Sequence, residues 1–82
     1  MVKAYRFYYT TFYDEEHERV KAYIKGLFGI EPIEHTSRIP GFRWIEVRFT
    51  RELPKVNIES LIESLKKMLG GDAYVRVDVI DL

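Results

Sequence analysis

The stretch Pro40-Gly41-Phe42-Arg43-Trp44-Ile45-Glu46-Val47-Arg48-Phe49 limits the possible folds more than any other part of the chain. Ile45, Val47 and Phe49 alternate with Trp44, Glu46 and Arg48. A period of two residues sends these sets to opposite faces of a strand. One face is ordinary core, and the other carries Phe42 and Trp44 followed by charges. Pro40-Gly41 is a turn signal at the entrance. The fold must therefore bury one side of this strand and leave the other free to present its aromatics.

The flanking segments supply such a fold. Residues 2–12 are rich in Tyr, Phe and Thr, which suit a half-buried pleated surface, and are expected to form a first strand. Keeping Arg6 out of the core sends Tyr5, Phe7 and Tyr9 inward and leaves Arg6, Tyr8, Thr10 and the terminal Phe12 on the open face. Asp14 reads as a helix N-cap, with Glu15 and Glu16 in the first turn, where the helix dipole favours acids. Val20, Tyr23, Ile24, Leu27 and Phe28 make one apolar stripe at helical spacing. Gly26 marks close packing or an early end, and Gly29 is the expected C-cap. Residues 30–38 form a second strand, placed at an edge because Pro32 cannot donate to a ladder. A two- or four-residue loop would put Ile33 on the face of Trp44. A three-residue loop with a bulge at Gly41 would put Ile33 with Val47 in the core, and burial favours the latter, although it faces Glu34 towards Glu46. Asn57 caps a second helix, Val56 staples onto Leu61, and Ile58, Leu61, Ile62, Leu65, Met68 and Leu69 recur at helical spacing up to Gly70-Gly71. The last strand spans residues 73–81, with Ala73, Val75, Val77 and Val79 inward and Tyr74, Arg76, Asp78 and Ile80 outward.

The order β-α-β-β-α-β predicts an α+β fold of the ferredoxin-like kind. Right-handed crossovers flanking a hairpin give a four-stranded antiparallel sheet with both helices on one face and strands one and three central. Eighty-two residues make one domain with a small core. Thirteen basic residues balance thirteen acidic ones, so any anion site must be a local patch and not a global field. The absence of cysteine excludes disulfides and thiolate metal sites. No run is long and apolar enough for a membrane span and no signal peptide is evident, which places the protein in a cytoplasm. Abundant Glu, Lys and Arg without Cys agrees with a thermostable protein.

By alternation the open face carries Arg6, Tyr8, Phe42, Trp44, Glu46, Arg48, Tyr74, Arg76 and Asp78. Aromatic plates beside arginines suit single-stranded RNA or DNA, because every base offers a π-face and arginine can stack or hold phosphate. Gly41-Phe42-Arg43-Trp44-Ile45-Glu46-Val47 resembles the third-strand signature of the RNA-recognition motif family: basic-Gly-aromatic-small-aromatic-aliphatic-any-aromatic. It matches at the glycine, both exposed aromatics and the aliphatic, and differs at Pro40, Arg43 and Val47. Phe7-Tyr8-Tyr9-Thr10-Thr11-Phe12 is similar to the family's first-strand signature without its Asn, and Leu27-Phe28-Gly29-Ile30 is similar to its first-helix ending. The resemblance implies that Tyr8, Phe42 and Trp44 are stacking plates. Arg6, Arg48 and Arg76 would then hold phosphates, with Tyr74 beside them.

Other readings use the same face. As a protein interface it would make a homodimer or dock a protein partner, and the arginines would pair with Glu46 and Asp78. An engineered scaffold with no natural ligand is a third reading. His17 and His35 have no second His, Cys or carboxylate at ligand-like sequence spacing, so no metal or cofactor is expected. No Gly-rich phosphate loop precedes either helix. No base, nucleophile and orienter recur together, so the chain reads as a non-enzymatic binding module.

Overall fold

The computed structural model describes residues 2–82. Six elements follow in the order β1 (Lys3–Thr10), α1 (Asp14–Phe28), β2 (Ile33–His35), β3 (Phe42–Phe49), α2 (Ile58–Leu69) and β4 (Val75–Asp81). The strands form one antiparallel sheet in the order β2-β3-β1-β4, giving an α+β fold with β3 and β1 central.

One core accounts for this arrangement. Tyr5, Phe7 and Tyr9 of β1 and Ile45 and Val47 of β3 are buried with Val20 and Ile24 of α1 and Leu61 and Leu65 of α2. Register pairs Tyr5 with Val47 and Phe7 with Ile45, so alternation in both central strands points the same way. A buried side chain of this kind contributes roughly 1.5–3 kcal/mol, and the period-two and helical patterns meet in a single cluster. Tyr5 also donates its hydroxyl to the Pro54 carbonyl at 2.7 Å, which pins the segment leading into α2.

Several boundaries and caps differ from expectation. β1 stops at Thr10, and Phe12 lies beyond it, 76% exposed, with its ring against Gly41. β2 is only three residues long, and Ala73 and Tyr74 precede β4. The N-cap of α1 is Tyr13, which makes no side-chain capping bond; Asp14 is the first helical residue and pairs with Arg43 Nη2 at 2.9 Å. Thr11 takes the local role instead, its hydroxyl accepting from the Tyr13 amide and donating to Glu16 Oε1. Leu27 is exposed and His17 is buried, so the buried side of α1 starts one turn earlier than the apolar stripe suggested. Asn57 caps α2, accepting from the Ser60 amide at 3.0 Å, and Gly29 caps α1 at φ 70°.

The turn into β3 has the pattern of a type II turn. Phe42 N–H donates to the Ile39 carbonyl at 3.1 Å across Pro40 and Gly41, and Gly41 has φ 77°. A Cβ there would also stand 2.8 Å from the Phe12 ring. Gly26 differs: α1 runs through it, and a Cβ would meet nothing within 4 Å. It marks neither close packing nor a helix end. Gly26→Ala should therefore stabilise the fold by about 1 kcal/mol through helix propensity alone. Urea denaturation checks this, with a higher midpoint at unchanged slope as the expected result.

Candidate functional site

The sheet face turned away from the core is a grid set by register. One row is His35, Trp44, Tyr8 and Arg76, and the next is Ile33, Glu46, Arg6 and Asp78. Arg48 and Ile80 flank Ala4 in a third row, and Phe42 lies opposite Thr10 at the other end. Six of the seven nominated residues (Arg6, Tyr8, Phe42, Trp44, Arg48 and Arg76) fall on this face. Tyr74 joins them just ahead of β4, its ring 6.2 Å from that of Phe42.

The register of β2 is the reverse of the preferred expectation. Ile33 pairs with Glu46 and His35 with Trp44, so both belong to the open face, while Glu34 turns towards the helices. The physical reason is charge. The bulged register would have set Glu34 against Glu46. The observed one gives each carboxylate a histidine: His17 Nε2 to Glu34 Oε1 at 2.5 Å, and His35 Nε2 to Glu46 Oε1 at 3.0 Å. Sequence spacing could not reveal these pairs, because each partner arrives from a different element. The signal available was the like-charge clash in the register that burial favoured.

Trp44 sits inside a stack. β2 and β1 flank β3 on opposite sides, and their rings do the same to the indole. His35 lies face to face with it at 3.9 Å and 6°, and Tyr8 is offset-stacked at 5.6 Å and 24°. Tyr8 continues to Phe42 at 6.1 Å and 28°. At 3.9 Å and 6° the His35 and Trp44 rings lie plane to plane, so His35 covers one face of the indole. Arg6 adds its guanidinium carbon 5.3 Å from the Trp44 ring centre, within cation–π range.

Beneath the stack lies a carboxylate. The Glu46 side chain is 0% exposed although it points to the open side. Arg6 Nε donates to Oε2 at 3.0 Å, and His35 and the Arg48 guanidinium reach Oε1 at 3.0 and 3.1 Å. Burial pushes the Glu46 carboxyl up, but the hydrogen bonds from Arg6, His35 and Arg48 outweigh it and hold the group below its ordinary value. Arg76 Nε pairs with Asp78 Oδ1 at 2.9 Å along its own strand. Each nominated arginine therefore has a carboxylate partner, Arg6 across strands and the others within one, with Arg6 and Arg48 sharing Glu46.

On the core side, His17 is 3% exposed and bonded at both ring nitrogens, to the Tyr9 hydroxyl at 2.7 Å and to Glu34. Lys21 Nζ also reaches Glu34, at 3.1 Å. A carboxylate only accepts, so His17 Nε2 carries the hydrogen directed at Glu34, and Nδ1 pairs with the Tyr9 hydroxyl. Burial, then the charge of Glu34, raises the Tyr9 phenol far above its usual range, and the bonds from His17 and Lys21 lower Glu34. Tyr9 lies in the core with no exposed surface, so this chain of bonds braces β1, α1 and β2 against one another.

Among the described residues, no group of three or more His, Asp and Glu could hold a metal ion, and no helix is long and apolar enough to cross a membrane. Comparison with family models, curated proteins and solved structures finds no match for the chain.

Proposed function

We propose that the chain is a non-enzymatic, ferredoxin-like binding module whose open sheet face docks a protein partner. The strand order β2-β3-β1-β4, with helices after β1 and β3, supports the ferredoxin-like reading. The observation that carries the function is the placement of Trp44 between His35 and Tyr8 above a sealed Glu46. An incoming base needs a free ring plane and a free cation. Here the indole planes are taken and the arginines are paired. A surface of Trp, Tyr, Phe and Arg with its arginines held by carboxylates has instead the composition of a protein-binding hot spot, ordered before the partner arrives.

Single-stranded nucleic acid is the second reading, favoured at one place. Tyr8, Phe42, Tyr74, Arg76 and Asp78 line a concavity of about 240 Å³ where Tyr74 is 46% exposed. A base could stack there, and the resemblance to the RNA-recognition motif bears on that corner.

Capture from cell extract on immobilised protein separates the two. The partner should be held by wild type and by Leu27→Glu, a control at the exposed side of α1. Trp44→Glu should weaken it by about thirtyfold or more, as for loss of a central anchor. Capture that survives Trp44→Glu in a folded variant, or that disappears after nuclease treatment, would contradict the protein-docking reading.

A further inference from the structure

The two edges of the sheet are unequal. β2 spans only Ile33–His35 and follows the buried Pro32, so it offers an incoming strand little to pair with. β4 spans Val75–Asp81, contains no proline, and keeps an unbroken register with β1. Among the described residues, no strand lies on its outer side. Val75 and Val77 pack against the core, but Val79, on the helix side, is 56% exposed, so α2 leaves that end of the edge uncovered. Such an edge is a template for another strand.

Hydrogen bonding tells which residues face outward. Thr10 N–H donates to the Tyr74 carbonyl, and Leu82 N–H donates to the Val2 carbonyl. In an antiparallel ladder the bonded residues alternate, so the even positions of β4 spend their backbone groups on β1. Val75, Val77, Val79 and Asp81 therefore turn their N–H and C=O groups to the free edge.

We propose that the occupant of this edge is a second copy of the chain, with β4 antiparallel to β4 about a two-fold axis at Val77. The sequence of β4 is self-complementary in that register. Val77 meets Val77, Val75 meets Val79, Arg76 meets Asp78, and Tyr74 meets Ile80, each of the last three occurring twice. The outward-facing residues are the ones that exchange bonds, giving about six main-chain hydrogen bonds. On the helix side the exposed Val79 gains a valine neighbour. On the open side two Arg76–Asp78 pairs become one alternating cluster, and Tyr74 gains an apolar contact. Shifting the axis by one residue sets Arg76 against Arg76 or Asp78 against Asp78, which like-charge repulsion disfavours. A single strand edge is a small interface, so the dimer forms in a concentration-dependent way. It joins the two sheets into a continuous eight-stranded one and places two open faces side by side.

Sedimentation across a concentration series tests this. Wild type should rise from the 9.8 kDa of one chain to twice that mass. Val79→Pro removes an outward N–H at a position where an edge strand tolerates proline, and should weaken the dimer at least tenfold. Asp78→Arg should do the same by opposing arginines, and the swap Arg76→Asp with Asp78→Arg should restore association, because the pairs across the axis are re-formed. Melting curves confirm that each variant is folded. A wild type that stays monomeric at millimolar concentration would overturn the proposal. So would a dimer that resists both Val79→Pro and Asp78→Arg, one that the charge swap fails to restore, or one that Trp44→Glu dissolves while Val79→Pro does not.

Discussion

Glu46→Gln is expected to cost about 3 kcal/mol at neutral pH, the larger of the two main effects. Removing one member of a buried, hydrogen-bonded charge cluster typically costs about 3–5 kcal/mol, because the remaining charges lose their counterion. Here the lower end applies, since Arg6 and Arg48 are partly exposed and can turn to water. Glutamine keeps the shape but turns an NH₂ donor towards groups that are all donors: Arg6, Arg48 and His35. The effect is tied to pH. The folded carboxyl lies below its ordinary value, so the unfolded chain binds the proton first as pH falls. The contribution of Glu46 is complete above the usual carboxylate range and is lost as pH drops through the folded value. Glu34, lowered by His17 and Lys21, behaves in the same sense. Urea denaturation of wild type and Glu46→Gln at neutral and acid pH should show a gap that closes with acid. A gap below about 1 kcal/mol, or one that pH does not change, would show that the cluster does not hold the face together.

His17→Leu is the second large effect, at about 2–3 kcal/mol. It strands the Tyr9 hydroxyl, which lies in the core with His17 as its partner. An unsatisfied buried hydroxyl costs about 1–3 kcal/mol, and the branched leucine does not match the shape of the flat ring it replaces. Glu34 suffers less, because it is half-exposed and keeps Lys21. Removing both ends should cost less than the sum of the two changes. In a double-mutant cycle with Tyr9→Phe, a coupling of about 1 kcal/mol or more is expected, since the double variant leaves no orphaned hydroxyl. Additive costs would mean that the Tyr9–His17 bond contributes nothing net.

Much of this fold is legible from local pattern. Alternation in residues 42–49 and the gap-free stripe from Ile58 to Leu69 place β3 and α2 because each pattern is decided by one face against one core. Alternation likewise assigns Tyr5, Phe7 and Tyr9 inward and Arg6 and Tyr8 outward. The register of β2 is not legible this way. With three residues at an edge, apolar burial says little, and Ile33 stays 41% exposed. The choice is made by the hydrogen bonds of Glu34 and His35 to His17 and Glu46, which are distant in sequence. The capping role of Asp14 fails for a related reason: Arg43 draws it away, and Thr11 organises the turn. The open-face members are also readable from alternation, but the ring stack is not. It depends on His35 reaching Trp44 from the strand whose register the sequence leaves open.

The most direct test of the central claim, that the open face is a closed aromatic stack with its arginines already paired, is the emission of Trp44 during titration with short oligothymidylate at low salt. Trp44 is the only tryptophan, so the signal reports on the stack alone. A protein-docking face predicts emission characteristic of a packed indole and no saturable change with oligonucleotide. Saturable quenching that fades as salt is added would contradict it, because it would mean that the indole plane and the arginine charges are open to bases and phosphates.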